Sequence, residues 1–190
     1  AAPFITHERR SESWAKVASA AVPWAPLVKN GSFEWGPPAA LGLNRWPPWE
    51  NTVVTFGNWT VSTVDPELSS GKQHLQLSST SGAAALTGSV FQKLDVPLNT
   101  AEYVRLIFKV KAVQAATGGT LTATVRFRNT IGTAFDSVQT VTLAAPDVNY
   151  RTFDKIIPIP VGATQVGEVR LDANSLTFAV ATAAVRVDNV

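Results

Sequence analysis

The chain has no cysteine, no methionine and only two histidines among its 190 residues. Without cysteine there is no disulfide framework, no thiolate metal site and no cysteine nucleophile, so stability must come from a packed core. The missing methionine extends to the first position, and a start at Ala1 fits initiator removal, signal-peptide cleavage or a fragment. Charge is also sparse. At 16% charged residues and a formal net charge of +2, the chain has too weak a field to gather nucleic acid or an anionic membrane surface. Although 45% of the residues are hydrophobic, no stretch approaches the about 20 uninterrupted apolar residues of a membrane-spanning helix.

The usual marks of catalysis are missing as well. His7 and His74 stand alone, and there is no H-E-x-x-H, G-x-S-x-G, P-loop or G-x-G-x-x-G. Glu34, Glu50, Asp65, Glu67 and Asp136 are of the type that hydrolyses glycosides in pairs, but nothing in the sequence pairs any two of them. The expectation is a protein that is not an enzyme.

What is present divides into an arm and one domain. Residues 1–26 concentrate charge at Glu8, Arg9, Arg10, Glu12 and Lys16, and carry Trp14, Val17, Ala18 and Ala21 at helical spacing until Pro23 and Pro26 end the pattern. This reads as a partly helical N-terminal arm, with Ser11 as its candidate N-cap and Trp14 and Trp24 as its docking residues toward the domain or a neighbouring subunit. Residues 27–190 form a single domain by length. Within it, β-prone runs recur between turn residues: Val53 to Val64, Lys72 to Leu77, Gly88 to Leu94, Tyr103 to Val113, Leu121 to Asn129, Ala134 to Leu143, Tyr150 to Ile157, Val166 to Leu171, Leu176 to Ala179 and Ala184 to Val190.

Such spacing predicts an all-β, antiparallel two-sheet sandwich. Leu121, Ala123, Val125 and Phe127 alternate with Thr122, Thr124, Arg126 and Arg128, so the first set should face a core and the second solvent. Arg105, Lys109 and Lys111 alternate in the same way with Leu106, Phe108 and Val110, suggesting a basic outer stripe beside Arg126 and Arg128. Gly118-Gly119 reads as a turn. Pro158 and Pro160 confine their segment to an edge strand or a loop. Asn30-Gly31-Ser32 and Asn58-Trp59-Thr60 match the N-glycosylation pattern, which matters only on a glycosylating secretory route.

Tryptophan is concentrated: Trp35, Trp46, Trp49 and Trp59 share a segment with Pro37-Pro38 and Pro47-Pro48. Proline stiffens a loop, and tryptophan supplies an apolar face and an N–H donor, the combination on which sugar rings stack. Trp46, Trp49 and Trp59 are therefore candidate carbohydrate-binding residues, the glycan stacking on these loops or on the concave sheet, with Arg105, Lys109, Arg126 and Arg128 as polar partners. The alternative is that these rings pack as core and cover a sheet edge.

The two ends of the domain carry a resemblance. Asn30-Gly31-Ser32-Phe33-Glu34 near the start and Val185-Arg186-Val187-Asp188-Asn189-Val190 at the close are similar to the opening and closing segments of carbohydrate-binding modules with a galactose-binding-type jelly roll, including related modules of bacteriophage fibre and tail proteins. Ser89 to Leu94, Tyr103 to Ala112 and Tyr150 to Phe153 resemble interior strands of that family in the same order. The resemblance implies a jelly roll whose opening and closing segments lie side by side, with a structural Ca²⁺ held by Glu34, Asp188 and a carbonyl near Asn30. Glu34 has an alternative role, capping backbone amides or pairing with an arginine such as Arg170.

Two functions follow as expectations. One is a non-catalytic module binding a polysaccharide or cell-surface glycan, with an extracellular, cell-surface or virion location. The other is a structural or assembly protein of a virion or filament, its arm contacting further copies or other subunits.

Overall fold

The computed structural model describes residues 27–28, 49–52, 54–63, 73–80, 84–99, 101–188 and 190. The arm, with Trp14 and Trp24, and the segment holding Asn30, Glu34 and Trp46 lie outside the described residues. In chain order the strands are β1 (Trp49–Asn51), β2 (Gly57–Ser62), β3 (His74–Ser79), β4 (Leu86–Pro97), β5 (Tyr103–Ala112), β6 (Ala116–Arg128), β7 (Ala134–Val141), β8 (Arg151–Pro158), β9 (Gln165–Phe178) and β10 (Ala183–Asp188). They form two five-stranded sheets: sheet one in the order β1-β4-β9-β6-β7, sheet two in the order β2-β3-β10-β5-β8. Every pairing is antiparallel. This is the two-sheet sandwich that the alternation predicts, consistent with a jelly roll. Among the described residues there is no helix, hence none that could cross a membrane.

The core lies between the sheets and is built from the apolar half of each alternating strand. Leu121, Ala123, Val125 and Phe127 of β6 are buried, as are Val169, Leu171 and Ala173 of the neighbouring β9. Sheet two supplies Leu75, Leu77, Phe108, Val110, Val185 and Val187 from the other side. Phe108 and Phe153 stack at 4.6 Å between ring centroids across the β5–β8 pair. Each such side chain contributes about 1.5–3 kcal/mol by leaving water, so a continuous two-layer core compensates for the absence of cross-links.

Three sequence expectations are corrected here. Gly118-Gly119 is not a turn but lies within β6, where Gly119 takes φ +70° opposite the bulge at Ser175 of β9 (φ 50°). A Cβ on Gly119 would come within 2.1 Å of the Ser175 carbonyl oxygen, so only glycine permits that approach. The same bulge lets Val166 to Leu171 and Leu176 to Ala179, expected as two strands, run on as the single β9. Finally, Arg105, Lys109 and Lys111 do not stand beside Arg126 and Arg128: β5 and β6 are consecutive in the chain but belong to different sheets. Their charged residues face opposite sides of the molecule. Pro158 ends β8, an edge strand, as its missing N–H requires.

Candidate functional site

With Leu121, Ala123, Val125 and Phe127 turned inward, Thr122, Thr124 and Arg126 face out from sheet one, and register fixes their neighbours. Arg126 lies opposite Asp136 on β7 and Glu168 on β9; Thr124 lies opposite Val138 and Arg170; Thr122 lies opposite Thr140 and Asp172. Across the next pair, Glu168 faces Lys93, Arg170 faces Phe91 and Asp172 faces Ser89 on β4, and Glu50 of β1 faces Phe91. Five strands thus assemble one polar surface.

Its charged groups are held in place. Arg126 donates from Nε and Nη2 to the two carboxylate oxygens of Asp136 at 2.7 and 2.8 Å. That two-pronged hydrogen bond outweighs desolvation, keeping Asp136 below the ordinary carboxylate range and Arg126 above its own. Arg170 donates from Nε to Asp172 at 2.8 Å and from Nη2 to the Ser89 hydroxyl at 2.8 Å, while Ser89 and Thr124 donate to Asp172. Between the two guanidinium groups sits Glu168, whose side chain is only 7% exposed. Its Oε1 is 3.6 Å from Arg170 Nη1 and 3.9 Å from Arg126 Nη1, both beyond good hydrogen-bond length. Among the described residues the Glu168 carboxylate makes no hydrogen bond.

Small, buried Ser89, Thr122 and Thr124 form the floor. Phe91, with the Lys93 ammonium 5.9 Å from its ring centroid, and Val138, 56% exposed, supply apolar contact on either side of Thr124 and Arg170. Chemically this is a surface of fixed donors and acceptors with apolar flanks, suited to a ligand rich in hydroxyl groups.

Of the residues singled out from sequence, Arg126, Asp136 and Glu50 are in this constellation, whereas Arg105 and Lys109 are on sheet two. Trp49 and Trp59 are not part of the constellation: each is 1% exposed and belongs to the core, so neither offers a face for a sugar ring. The reason is parity, since Trp59 pairs with inward Leu77, and Trp49 pairs with buried Gln92. Trp46 lies outside the described residues. Glu168, Arg170 and Asp172 were missed as site residues, yet Glu168-Val169-Arg170-Leu171-Asp172-Ala173 alternates as strictly as β6 does.

Asp188 lies on the opposite side of the molecule. It is fully buried near the end of β10, in register with Lys109, and by alternation with inward Val187 it points to the outer face of sheet two. His74, also fully buried, is on β3 in the same outer row, its ring 6.4 Å from that of Tyr150. Both edges of β10 are occupied, by β3 and β5. Among the described residues no group of three His, Asp or Glu could hold a metal ion.

No protein-family model and no curated protein sequence matches the chain. Solved structures do match in fold. The enzymatically active domain of tailspike protein 4 of bacteriophage CBA120 superposes with a TM-score of 0.58 at 16% identity over 85% of this chain, which spans 20% of that protein's length. A family 16 carbohydrate-binding module (module 2) gives 0.53 at 17% identity, covering 86% of this chain and 96% of its own. An arabinose-bound α-L-arabinofuranosidase, MgGH51, gives 0.53 at 9% identity over 84% of this chain and 25% of its own. At these identities the likeness is one of fold, and it joins this sandwich to a carbohydrate-binding module and to portions of two larger proteins.

Proposed function

We propose that the chain is a non-catalytic carbohydrate-binding β-sandwich module that holds a glycan against the outer face of sheet one. The observation that carries this reading is the Arg126–Glu168–Arg170 cluster: two guanidinium groups are pinned by Asp136 and Asp172 before any ligand arrives, beside Phe91. Groups already fixed lose little entropy on binding. The fold shared with a carbohydrate-binding module supports the reading. Retention on immobilised polysaccharides tests it: Arg170→Ala and Arg126→Ala should each lower retention about tenfold or more with the fold intact, the cost of losing a charged hydrogen-bond donor. Unchanged retention in both variants would sink this placement.

An extracellular, cell-surface or virion setting belongs to the same reading. So does a structural Ca²⁺ held by Glu34, Asp188 and a carbonyl near Asn30. A fully buried carboxylate such as Asp188 is the hard oxygen donor that Ca²⁺ takes.

A second reading, a structural or assembly subunit, has its own support. Ile131 and Val161 are 85% and 98% exposed at the tips of the β6–β7 and β8–β9 turns, which meet where the Thr164 N–H donates to the Arg128 carbonyl. Two bare aliphatic tips at one end of a sandwich suit contact with another subunit.

A further inference from the structure

We infer that the outer face of sheet one selects uncharged glycans and rejects uronates and sulfated sugars; this rests on the carbohydrate-binding reading above. The cations at the centre of that face are already neutralised within the protein. Arg126 is held by Asp136, Arg170 by Asp172, and Lys93 lies 3.6 Å from Glu50. A ligand anion arriving there would have to break one of these pairs or add a negative charge to a surface with none to spare. Arg128 is the exception, and it stands aside at the end of β6. Its side chain lies across Gly167 of β9, where a Cβ would come within 3.0 Å of its Cδ and Nε.

Glu168 makes the discrimination chemical. Its carboxylate sits between Arg126 Nη1 and Arg170 Nη1 at 3.9 and 3.6 Å, a spacing that leaves direct hydrogen bonds unmade. A sugar hydroxyl completes this arrangement because it accepts from a guanidinium N–H and donates its own proton to Glu168. A carboxylate or sulfate can only accept. It would set like charge against Glu168 at a position only 7% exposed, where water screens poorly.

The test is affinity electrophoresis of the full chain through gels holding one neutral polymer (mixed-linkage β-glucan, β-1,4-galactan or arabinoxylan) or one charged polymer (polygalacturonate or dextran sulfate), at about 20 and about 500 mM NaCl. The expected result is retention by at least one neutral polymer, changing less than about twofold with salt, and none by the charged ones. Glu168→Gln keeps the side chain's shape and removes its charge, so it should weaken neutral retention by about fivefold or more while lowering the barrier to polygalacturonate. Salt-sensitive retention on polygalacturonate or dextran sulfate with no neutral binding overturns the selectivity but leaves a carbohydrate-binding module standing. Retention on no polymer removes both. Neutral retention unchanged in a folded Glu168→Gln variant overturns the role of Glu168.

Discussion

A tryptophan in a proline-rich stretch either offers its face to a ligand or fills a corner of a core, and burial separates the two. Trp49 and Trp59 fill the core, so Trp49→Ala and Trp59→Ala should each destabilise the domain by about 3–5 kcal/mol in denaturant unfolding. The folded fraction should keep its glycan retention. The Trp59 Nε1–H is buried without a hydrogen-bond partner, so Trp59→Phe forfeits volume alone and should cost less than half as much as Trp59→Ala. The inward position of Trp59 was legible in Gly57-Asn58-Trp59-Thr60-Val61-Ser62, where Trp59 and Val61 share a parity against polar neighbours. Composition drew the eye to the cluster, while parity decided the role.

Ion pairs at the residue scale carry a pH signature. Hydrogen bonds from Arg126 and Arg105 hold Asp136 and Asp154 below the usual carboxylate range. A carboxylate lowered in the folded state stabilises it above the unfolded value of about 3.9, and that stabilisation fades as pH falls through the lower folded value. The unfolding midpoint should therefore hold between about pH 7 and pH 5 and begin to fall below about pH 4. With side chains 37% and 38% exposed, the two pairs are screened, and Asp136→Asn should shallow the acid decline only slightly.

At the scale of elements, the β6–β9 pair decides how long the strands can be. Gly119 and Ser175 absorb an irregularity that would otherwise end both. Gly119→Ala should destabilise by more than about 1 kcal/mol, because it combines a positive φ with a Cβ driven into backbone. Gly132→Ala, at φ +87° but with nothing within 4 Å of the new Cβ, adds only conformational strain and should cost less; thermal unfolding of the two variants makes the comparison. Sequence presented Gly118-Gly119 as a break because glycine pairs usually mark turns. That this one is a close approach depends on a carbonyl 56 positions further on. The charged row Glu168, Arg170 and Asp172 was likewise visible as alternation, but the neighbours that make it a site come from β4, β6 and β7.

Over the whole molecule, alternation was enough to give the class, since each run had one apolar face that only an opposing sheet could cover. Sheet membership was not local. β5 and β6 are separated by a few residues yet cross between layers, so a basic stripe drawn across them dissolved. Two global predictions remain. If Ca²⁺ is held near Asp188, a chelator should lower the melting temperature and Asp188→Ala should make it insensitive to chelation; equal melting curves with chelator and with excess Ca²⁺ would remove the ion. A chain beginning near Leu27 should still fold as the sandwich, and size measurement of full and shortened chains then tells whether residues 1–26 serve association.

The position of β10 bears on how the molecule comes to exist. Ala183–Asp188 is the last of the described strands in chain order yet the middle one of sheet two, with β3 on one side and β5 on the other. Until a ribosome has released those residues from its exit tunnel, β3 and β5 have no shared neighbour, and half the sandwich remains a layer with its centre missing. Pairing in sheet two must wait until β10 has emerged, with long-range contacts unmade and apolar strands uncovered until then. A chain terminated after Thr182 should emerge unfolded and protease-sensitive despite retaining nine of the ten described strands.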